Sequence, residues 1–234
     1  MSIQTILFDL DGTLLPMDQE VFVKTYLKYL AAYLVPYGYD PKGVADAIWK
    51  GTGAMMKNDG TDTNAEVFWK VFESLCGEGS WKDEPIFQKF YETRFQDVAA
   101  ACGFDPRAAE AVAAIKAKGL RVALATNPLF PAIATESRIR WAGLSPEDFE
   151  LYTTYESCSH CKPSLDYYRD VLNKLGVQAE ECLMVGNDAG EDMITEKLGM
   201  KTFLLTDSLI DRGLDITQWP RGSFPDLLAY LDTL

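Results

Sequence analysis

Two carboxylates, Asp9 and Asp11, stand two residues apart where a short apolar segment of the sequence ends. Like charges at that spacing repel each other, and burying either one without a partner costs free energy. A cation bound beside them would offset that cost. One carboxylate could attack a phosphorus atom while the other gives and takes a proton. The pair therefore indicates phosphoryl chemistry with a divalent metal ion nearby.

Further polar side chains follow other apolar segments. Thr126 and Asn127 come after RVALA and could donate hydrogen bonds to phosphate oxygens. Lys162, directly before a proline, offers a compact positive charge for the nucleophile and the transferring phosphoryl group. Gly12 would let the chain turn sharply after the two acids. The segment CLMV leads to side chains with the hard oxygen ligands that Mg²⁺ prefers: Asn187, Asp188 and Asp192.

These clusters fall where the strands of a parallel sheet are predicted to end. Strand-like segments are residues 3–7, LRVALAT, LYTTY, CLMVG and KTFLL. Helical patterns are expected at about 107–118, 131–142, 164–175, 189–198 and 224–232. Short apolar strands that alternate with helices indicate an α/β fold, a three-layer Rossmann-like core whose parallel sheet is covered on both faces. Ligands of such sheets sit at the carboxyl ends of the strands, so the polar clusters should converge on one crevice.

Between the first two predicted strands the pattern becomes purely helical. Apolar and aromatic residues three to four apart predict four helices, one of which covers Pro41 to about Trp49, just before the glycines at 51 and 53. We therefore expect residues 17–102, here called the helical insert, to form a small α-helical bundle. Residues 1–16 and 103–234 would form the core. The polar, glycine-rich segment 51–64 is expected to be a mobile loop near the substrate.

Composition narrows the possible partners and compartment. The chain has 22 Lys and Arg against 35 Asp and Glu, a formal charge of −13, which argues against nucleic acid or an anionic membrane as the main partner. The N-terminus has no basic n-region, and no run of about 18 apolar residues occurs, so neither a signal peptide nor a spanning helix is expected. Five cysteines in a chain of this size favour reduced thiols and a cytoplasmic protein.

His160 is the only histidine in the sequence, which excludes most histidine-dependent sites. A Ser-His-Asp site or a zinc protease would have to depend on that one residue. The glycine-rich fingerprints of P-loop and dinucleotide-binding proteins do not occur. Cys158 and Cys161 flank the histidine in CSHC, which could bind zinc or act as a redox pair. Because no second cysteine pair or histidine could complete four ligands, we expect incidental thiols.

Four segments together resemble the motifs of the haloacid dehalogenase (HAD) superfamily. They are D-x-D-G-T-L at 9–14, the apolar segment that ends in Thr126, Lys162 before its proline, and G-N-D-x-x-x-D at 186–192. Their order and spacing match, and the resemblance covers essentially the whole chain. The helical insert resembles the C1-type cap of the phosphoglycolate-phosphatase-like branch.

The resemblance implies a role for each candidate residue. Asp9 would be the nucleophile that forms an aspartyl-phosphate, and Asp11 the general acid and base, whose backbone carbonyl also binds Mg²⁺. Thr126 and Lys162 would complete the catalytic set and, with Gly12 and Asn127, bind the substrate. The implied metal ligands are Asp9, Asp11, Asn187, Asp188 and Asp192. Family members commonly have Gly-Asp where this chain has Gly186-Asn187, so either Asn187 or Asp188 could take the position of the usual acid.

The predicted function is a Mg²⁺-dependent phosphatase that hydrolyses a small phosphorylated metabolite. Family dehalogenases generally lack the second acid, so Asp11 favours phosphoryl chemistry. Two alternatives stay open. A phosphosugar mutase would share all four motifs, and a non-catalytic protein of the same fold could bind phosphate ligands, since the neutral Asn187 would weaken metal binding. The sequence indicates neither the physiological substrate nor the oligomeric state.

Overall fold

The computed structural model describes residues 2–234 and contains a five-stranded parallel sheet. In chain order its strands are β1 (Thr5–Phe8), β2 (Arg121–Leu124), β3 (Cys182–Gly186), β4 (Lys201–Leu205) and β5 (Arg221–Gly222). In the sheet they lie in the order β2-β1-β3-β4-β5. The central strand β1 pairs with β2 on one side and with β3 on the other, so that Phe8 lies opposite Leu124 and Val185.

Helices cover both faces of this sheet. In chain order the eight α-helices of residues 2–234 are α1 (Gln19–Leu34), α2 (Pro41–Met55), α3 (Asn64–Cys76), α4 (Glu84–Glu92), α5 (Pro106–Ala117), α6 (Ala132–Trp141), α7 (Leu165–Leu175) and α8 (Phe224–Leu231). Phe8 packs in one cluster with side chains of α5 and α8, whereas Leu7 packs in another with side chains of α7. This alternation along a strand buried on both faces produces the three-layer core, and the predicted fold class is confirmed.

The helical insert contains a hydrophobic cluster rich in aromatic side chains of α1, α3 and α4, to which Ala134, Tyr155 and Cys161 from outside the insert also contribute. Phe72 and Phe87, for example, meet edge to face with ring centroids 5.3 Å apart. The chain enters and leaves the insert through one neck, where the Gly103 amide donates to the Pro16 carbonyl at 2.7 Å. Met17 and Cys102 form an antiparallel bridge beside it. Of the helices within residues 2–234, none is long and apolar enough to cross a lipid bilayer.

Helix α2 does not end near Trp49 as predicted but continues through both glycines to Met55. A Cβ atom at Gly51 would lie 2.6 Å from the ring of Phe68, so the missing side chain lets α2 and α3 approach closely. Packing therefore outweighs the low helix propensity of glycine at this position. The prediction of a loop over 51–64 is wrong for residues 51–55 and for Asn64, the first residue of α3.

The rest of that segment is joined to the loop that contains CSHC. The amide of Asn64 donates to the carbonyl of Cys158 at 2.8 Å, and the next amide donates to the Tyr155 carbonyl at 2.9 Å. The buried Asn64 side chain also approaches the sulfur of Cys161 at 3.3 Å. Both of these cysteines are buried and unbridged, in agreement with reduced thiols. The mobility of the loop stays a prediction.

Three other elements differ from the expectation. LYTTY contributes a parallel bridge between Tyr152 and Leu124 and does not form a full strand. The helix predicted at 189–198 is a 3₁₀ segment, Met193–Leu198, because amides before it donate to the side chains of Asp188 and Asp192. The two-residue strand β5 was not predicted.

Candidate active site

The sheet order brings the ends of three strands together. Asp9 directly follows β1, and its amide donates to the carbonyl of Val185 in β3 at 2.9 Å. On the other side, the amide of Ala125 donates to the carbonyl of Phe8 at 2.7 Å. Thr126 and Asn187 follow β2 and β3, so their positions flank that of Asp9 at the carboxyl edge of the sheet.

Lys162 lies between two carboxylates at this edge. Its Nζ is 2.8 Å from Asp9 Oδ1 and 2.6 Å from Asp192 Oδ1. The side chains of Lys162 and Asp192 are each 1% exposed. Burial would lower the pKa of the lysine, but the facing Asp192 and Asp9 raise it well above its usual value, so the ammonium stays charged. Burial and the charge of Asp9 raise the pKa of Asp192.

Asp11 pairs with a cation that the sequence analysis did not identify. The guanidinium of Arg138, which is fully buried in α6, bonds to Asp11 Oδ2 and is held by Thr135 Oγ1 at 3.2 Å. Phe130 packs against this guanidinium at 4.5 Å from its ring centroid. Burial raises the pKa of Asp11, and the charge of Arg138 opposes that shift. The other carboxylate oxygen, Asp11 Oδ1, is buried without a hydrogen-bond partner among the described residues.

The turn after the two acids depends on Gly12. Its φ of 85° lies in the left-handed region, and a Cβ there would come within 2.2 Å of the Asn187 side chain. Thr13, the next residue, links the candidate metal ligands Asp9 and Asn187. Its hydroxyl is 3.0 Å from Asp9 Oδ2 and 3.1 Å from Asn187 Oδ1. The side chains of Asp9 and Asn187 therefore converge on the same small region.

The carboxylates of Asp188 and Asp192 are both occupied by other partners. Arg212 binds both oxygens of Asp188, with its Nε at 2.7 and 2.9 Å, and the Gly190 amide donates to Oδ1 at 2.8 Å. Asp192 bonds through Oδ1 to Lys162, and its Oδ2 accepts the Asp188 amide at 3.2 Å. In this structure each carboxylate is engaged with a cation.

The residues after β2 are placed by contacts with α7 and with the loop before it. The carbonyl of Thr126 accepts hydrogen bonds from Thr153 Oγ1 at 2.6 Å and from the Tyr167 hydroxyl at 2.8 Å.

Asn127 lies at a crevice of about 210 Å³ that Asp11 and Glu191 also line. Burial raises the pKa of Glu191, whose Oε2 lies 3.4 Å from Asn127 Nδ2. The Asn127 Oδ1 atom is buried, and no donor within residues 2–234 reaches it.

The donor set suits a magnesium ion better than a zinc ion. Among residues 2–234, no group of three or more His, Cys, Asp or Glu side chains is placed to hold a metal ion by itself. Mg²⁺ needs fewer protein ligands than that, because it commonly keeps several waters and binds one or two protein carboxylates together with the substrate phosphate. The converging oxygens of Asp9 and Asn187 meet that requirement.

Sequence reasoning missed three residues that hold this site together: Thr13, Arg138 and Arg212. Thr13 belongs to the quoted D-x-D-G-T-L segment and could have been noted there. The two arginines give no local signal, since each lies far along the chain from the aspartate it binds.

Comparison with known proteins identifies the family. The model of the haloacid dehalogenase-like hydrolases matches residues 3–195, most of the chain. The chain therefore belongs to this family, which confirms both the resemblance seen in its motifs and the prediction of a hydrolase.

Individual proteins of known name or structure share only a low sequence identity with this chain. Pyrophosphatase PpaX from Bacillus cereus is 26% identical over 212 residues, which cover 91% of this chain and 87% of PpaX. The structure of a HAD phosphatase from Thermococcus onnurineus is 17% identical with a TM-score of 0.60 and covers 98% of both chains. A 2-haloacid dehalogenase from Pseudomonas syringae is 18% identical with a TM-score of 0.64, and the match covers 99% of this chain and 98% of that one. At these identities the structural matches show the shared fold.

Proposed function

We propose that this protein is a Mg²⁺-dependent phosphatase that hydrolyses a small phosphate monoester through an aspartyl-phosphate. The observation that carries the proposal is the arrangement around Asp9, whose carboxylate is bound by the buried Lys162 at 2.8 Å and precedes a second acid by two residues. The lysine holds the Asp9 carboxylate in place for attack as a nucleophile.

The two steps of the reaction assign a task to each acid. Asp9 attacks the phosphorus, the bond from phosphorus to the ester oxygen breaks, and Asp11 gives its proton to the leaving alcohol. Asp11 then takes a proton from a water molecule that attacks the aspartyl-phosphate, and inorganic phosphate leaves. Asp11 Oδ1 would carry the proton, since Oδ2 is paired with Arg138. A dehalogenase would not need this second acid.

The substrate phosphate would be bound by Lys162, Thr126, Asn127 and the backbone around Gly12. Bound Mg²⁺ would supply positive charge between the nucleophile and the phosphate. Asp9, the Asp11 carbonyl and Asn187 are its best candidate ligands. Asp188 and Asp192 remain candidates that would first have to leave Arg212 and Lys162.

The division of the chain belongs to the same proposal. Residues 17–102 would act as a cap that closes over the crevice and excludes water, and residues 1–16 and 103–234 would hold the catalytic groups. The shared neck at Pro16 and Gly103 supports this division. We also propose that the protein acts in the cytoplasm on a phosphorylated metabolite.

The test is hydrolysis of p-nitrophenyl phosphate by the wild-type protein and by Asp9→Asn, each with Mg²⁺ and with EDTA. Wild-type turnover should require Mg²⁺, and Asp9→Asn should lower kcat by at least about a thousandfold. The surface variant Asp46→Asn is the matched control and should retain full activity, because that side chain is exposed on α2.

Failure of well-folded wild-type protein to turn over any ester would refute the proposal. Activation by a phosphorylated sugar with slow net hydrolysis would then indicate the mutase. Calorimetric binding of inorganic phosphate without turnover would indicate a binding protein.

A further inference from the structure

Two cavities meet between the helical insert and the core. The catalytic crevice, described above, has a volume of about 210 Å³ and reaches Asp11. A second cavity of about 290 Å³, here called the outer cavity, lies beside it. The two share five lining residues: Gln19, Val23, Met56, Leu129 and Phe130. The two cavities therefore adjoin along these five side chains.

The lining of the outer cavity is apolar and largely aromatic. Tyr26, Phe68, Trp69 and Tyr155 are among its walls, and no Lys, Arg, Asp or Glu from residues 2–234 lines it. The hydroxyl of Tyr26 is already bonded to that of Tyr91 at 2.9 Å, so it does not offer a free polar group. Charged or heavily hydroxylated groups would lose hydration on entering this space and would find few partners.

The catalytic crevice does not favour a second anionic group either. Its lining carries the acids Asp11 and Glu191 and, within the described part of the chain, no lysine or arginine. Lys162 is already shared between Asp9 and Asp192, and Arg138 is engaged with Asp11. A carboxylate or a second phosphate on the leaving alcohol would thus meet like charge in the crevice and no charge in the outer cavity.

We propose that the outer cavity binds the alcohol part of the substrate and that this part is an uncharged apolar group, alkyl or aromatic. The inference rests on the proposed phosphatase function and specifies its substrate class. An engineered cavity of about 150 Å³ lined by apolar side chains binds a benzene molecule. A cavity of about 290 Å³ has room for roughly two fused rings or a medium alkyl chain.

A homologous series of primary alkyl phosphates tests the substrate class. The leaving alcohols of n-propyl, n-butyl and n-hexyl phosphate have nearly the same acidity, so differences in rate report the binding of the chain. Burying one methylene is worth about 0.8 kcal/mol, or up to about fourfold. We expect kcat/KM to rise two- to fourfold per methylene, and glycerol 3-phosphate to be hydrolysed more slowly than n-propyl phosphate. A flat or falling series, or a preference for glycerol 3-phosphate, would overturn the inference.

Variants locate the effect in the cavity. Leu27→Asp places a charge on a wall of the outer cavity and should lower kcat/KM for n-hexyl phosphate by at least about tenfold. Leu75→Asp is the matched control, because Leu75 is 47% exposed and lies outside both cavities. If Leu27→Asp does not fold, Thr52→Trp should produce the same selective loss by filling the space. Equal activity of all variants on n-hexyl phosphate would contradict the proposed location.

A binding measurement separates failure of this inference from failure of the proposed function. n-Hexylphosphonate and n-propylphosphonate cannot be hydrolysed, so calorimetry on the wild-type protein reports their affinities whether or not the protein is a phosphatase. We expect n-hexylphosphonate to bind at least about tenfold more tightly, and Leu27→Asp to remove that difference. Equal dissociation constants would overturn the cavity assignment even if phosphate esters are hydrolysed.

Discussion

Replacing Lys162 by methionine should destabilise the protein in a manner that depends on pH. The substitution leaves an unbranched side chain one atom shorter and removes the charge between Asp9 and Asp192, whose separate contacts with the ammonium are 2.8 and 2.6 Å. Breaking a buried ion pair by removing one partner typically costs about 3–5 kcal/mol, because the remaining charge stays buried without compensation. We expect Lys162→Met to lose about that much unfolding free energy at pH 8.5 in EDTA.

The pH dependence follows from the carboxylate left behind. Burial already raises the pKa of Asp192 in the wild-type protein, and loss of the lysine raises it further. Above the pKa of the unfolded chain, the native variant then holds a proton that the unfolded chain does not. Its unfolding free energy therefore falls as pH rises, by up to about 1.4 kcal/mol per pH unit. The deficit relative to wild type should shrink as the pH is lowered from 8.5 toward 6.

Urea denaturation followed by tryptophan fluorescence at pH 8.5 and pH 6 measures both effects. The double variant Lys162→Met/Asp192→Asn removes the stranded charge and should recover at least half of the lost free energy with little pH dependence. Lys197→Met, on the exposed side chain of a nearby lysine, should change stability by less than about 0.5 kcal/mol. A loss below about 1 kcal/mol for Lys162→Met at both pH values would refute the buried ion network.

Three further outcomes are expected from other parts of the structure. Gly51→Ala should lower the free energy of unfolding in urea by about 1–3 kcal/mol, because the added Cβ would lie 2.6 Å from an aromatic ring of α3. Gly53→Ala is the control: a Cβ there would have no neighbouring atom within 4 Å, so the substitution should raise the free energy of unfolding by up to about 1 kcal/mol. Arg138→Met should cost about 3 kcal/mol by leaving Asp11 without its cation, as the same denaturation assay would show. Asn187→Asp should lower the Mg²⁺ concentration for half-maximal phosphatase activity by roughly tenfold and raise KM for the ester.

Four of the five strands, β1 to β4, and most of the helices could be predicted because their patterns are local. The residues of β1 and β3 are apolar on both faces, and the helix patterns repeat every three to four residues. The glycines in α2 show where local reasoning fails, since the contact that favours Gly51 comes from Phe68 in another helix. A sequence window around position 51 contains no information about that contact.

The candidate site could likewise be predicted only where its residues carry a local sequence signal. Asp9, Lys162 and Asn187 follow apolar segments, and parallel strand ends necessarily share one edge of the sheet. Arg138 lacked such a signal, because a basic residue in the last turn of a helix is ordinarily a solvated side chain that favours the helix dipole. Only the packing of α6 against the first loop shows that it is fully buried against Asp11.

The ion pairs also explain what an asparagine at position 187 can contribute. In the group around the nucleophile, Asp9 and Asp192 share Lys162, which leaves one net negative charge there when both acids are ionised. A bound Mg²⁺ would turn that charge into one net positive charge, which attracts a phosphate dianion. An aspartate at 187 would bind the metal ion more tightly but would cancel this attraction. The opposite shifts in Mg²⁺ affinity and KM expected for Asn187→Asp have this common electrostatic cause, and parallel shifts would show that the charges are paired differently.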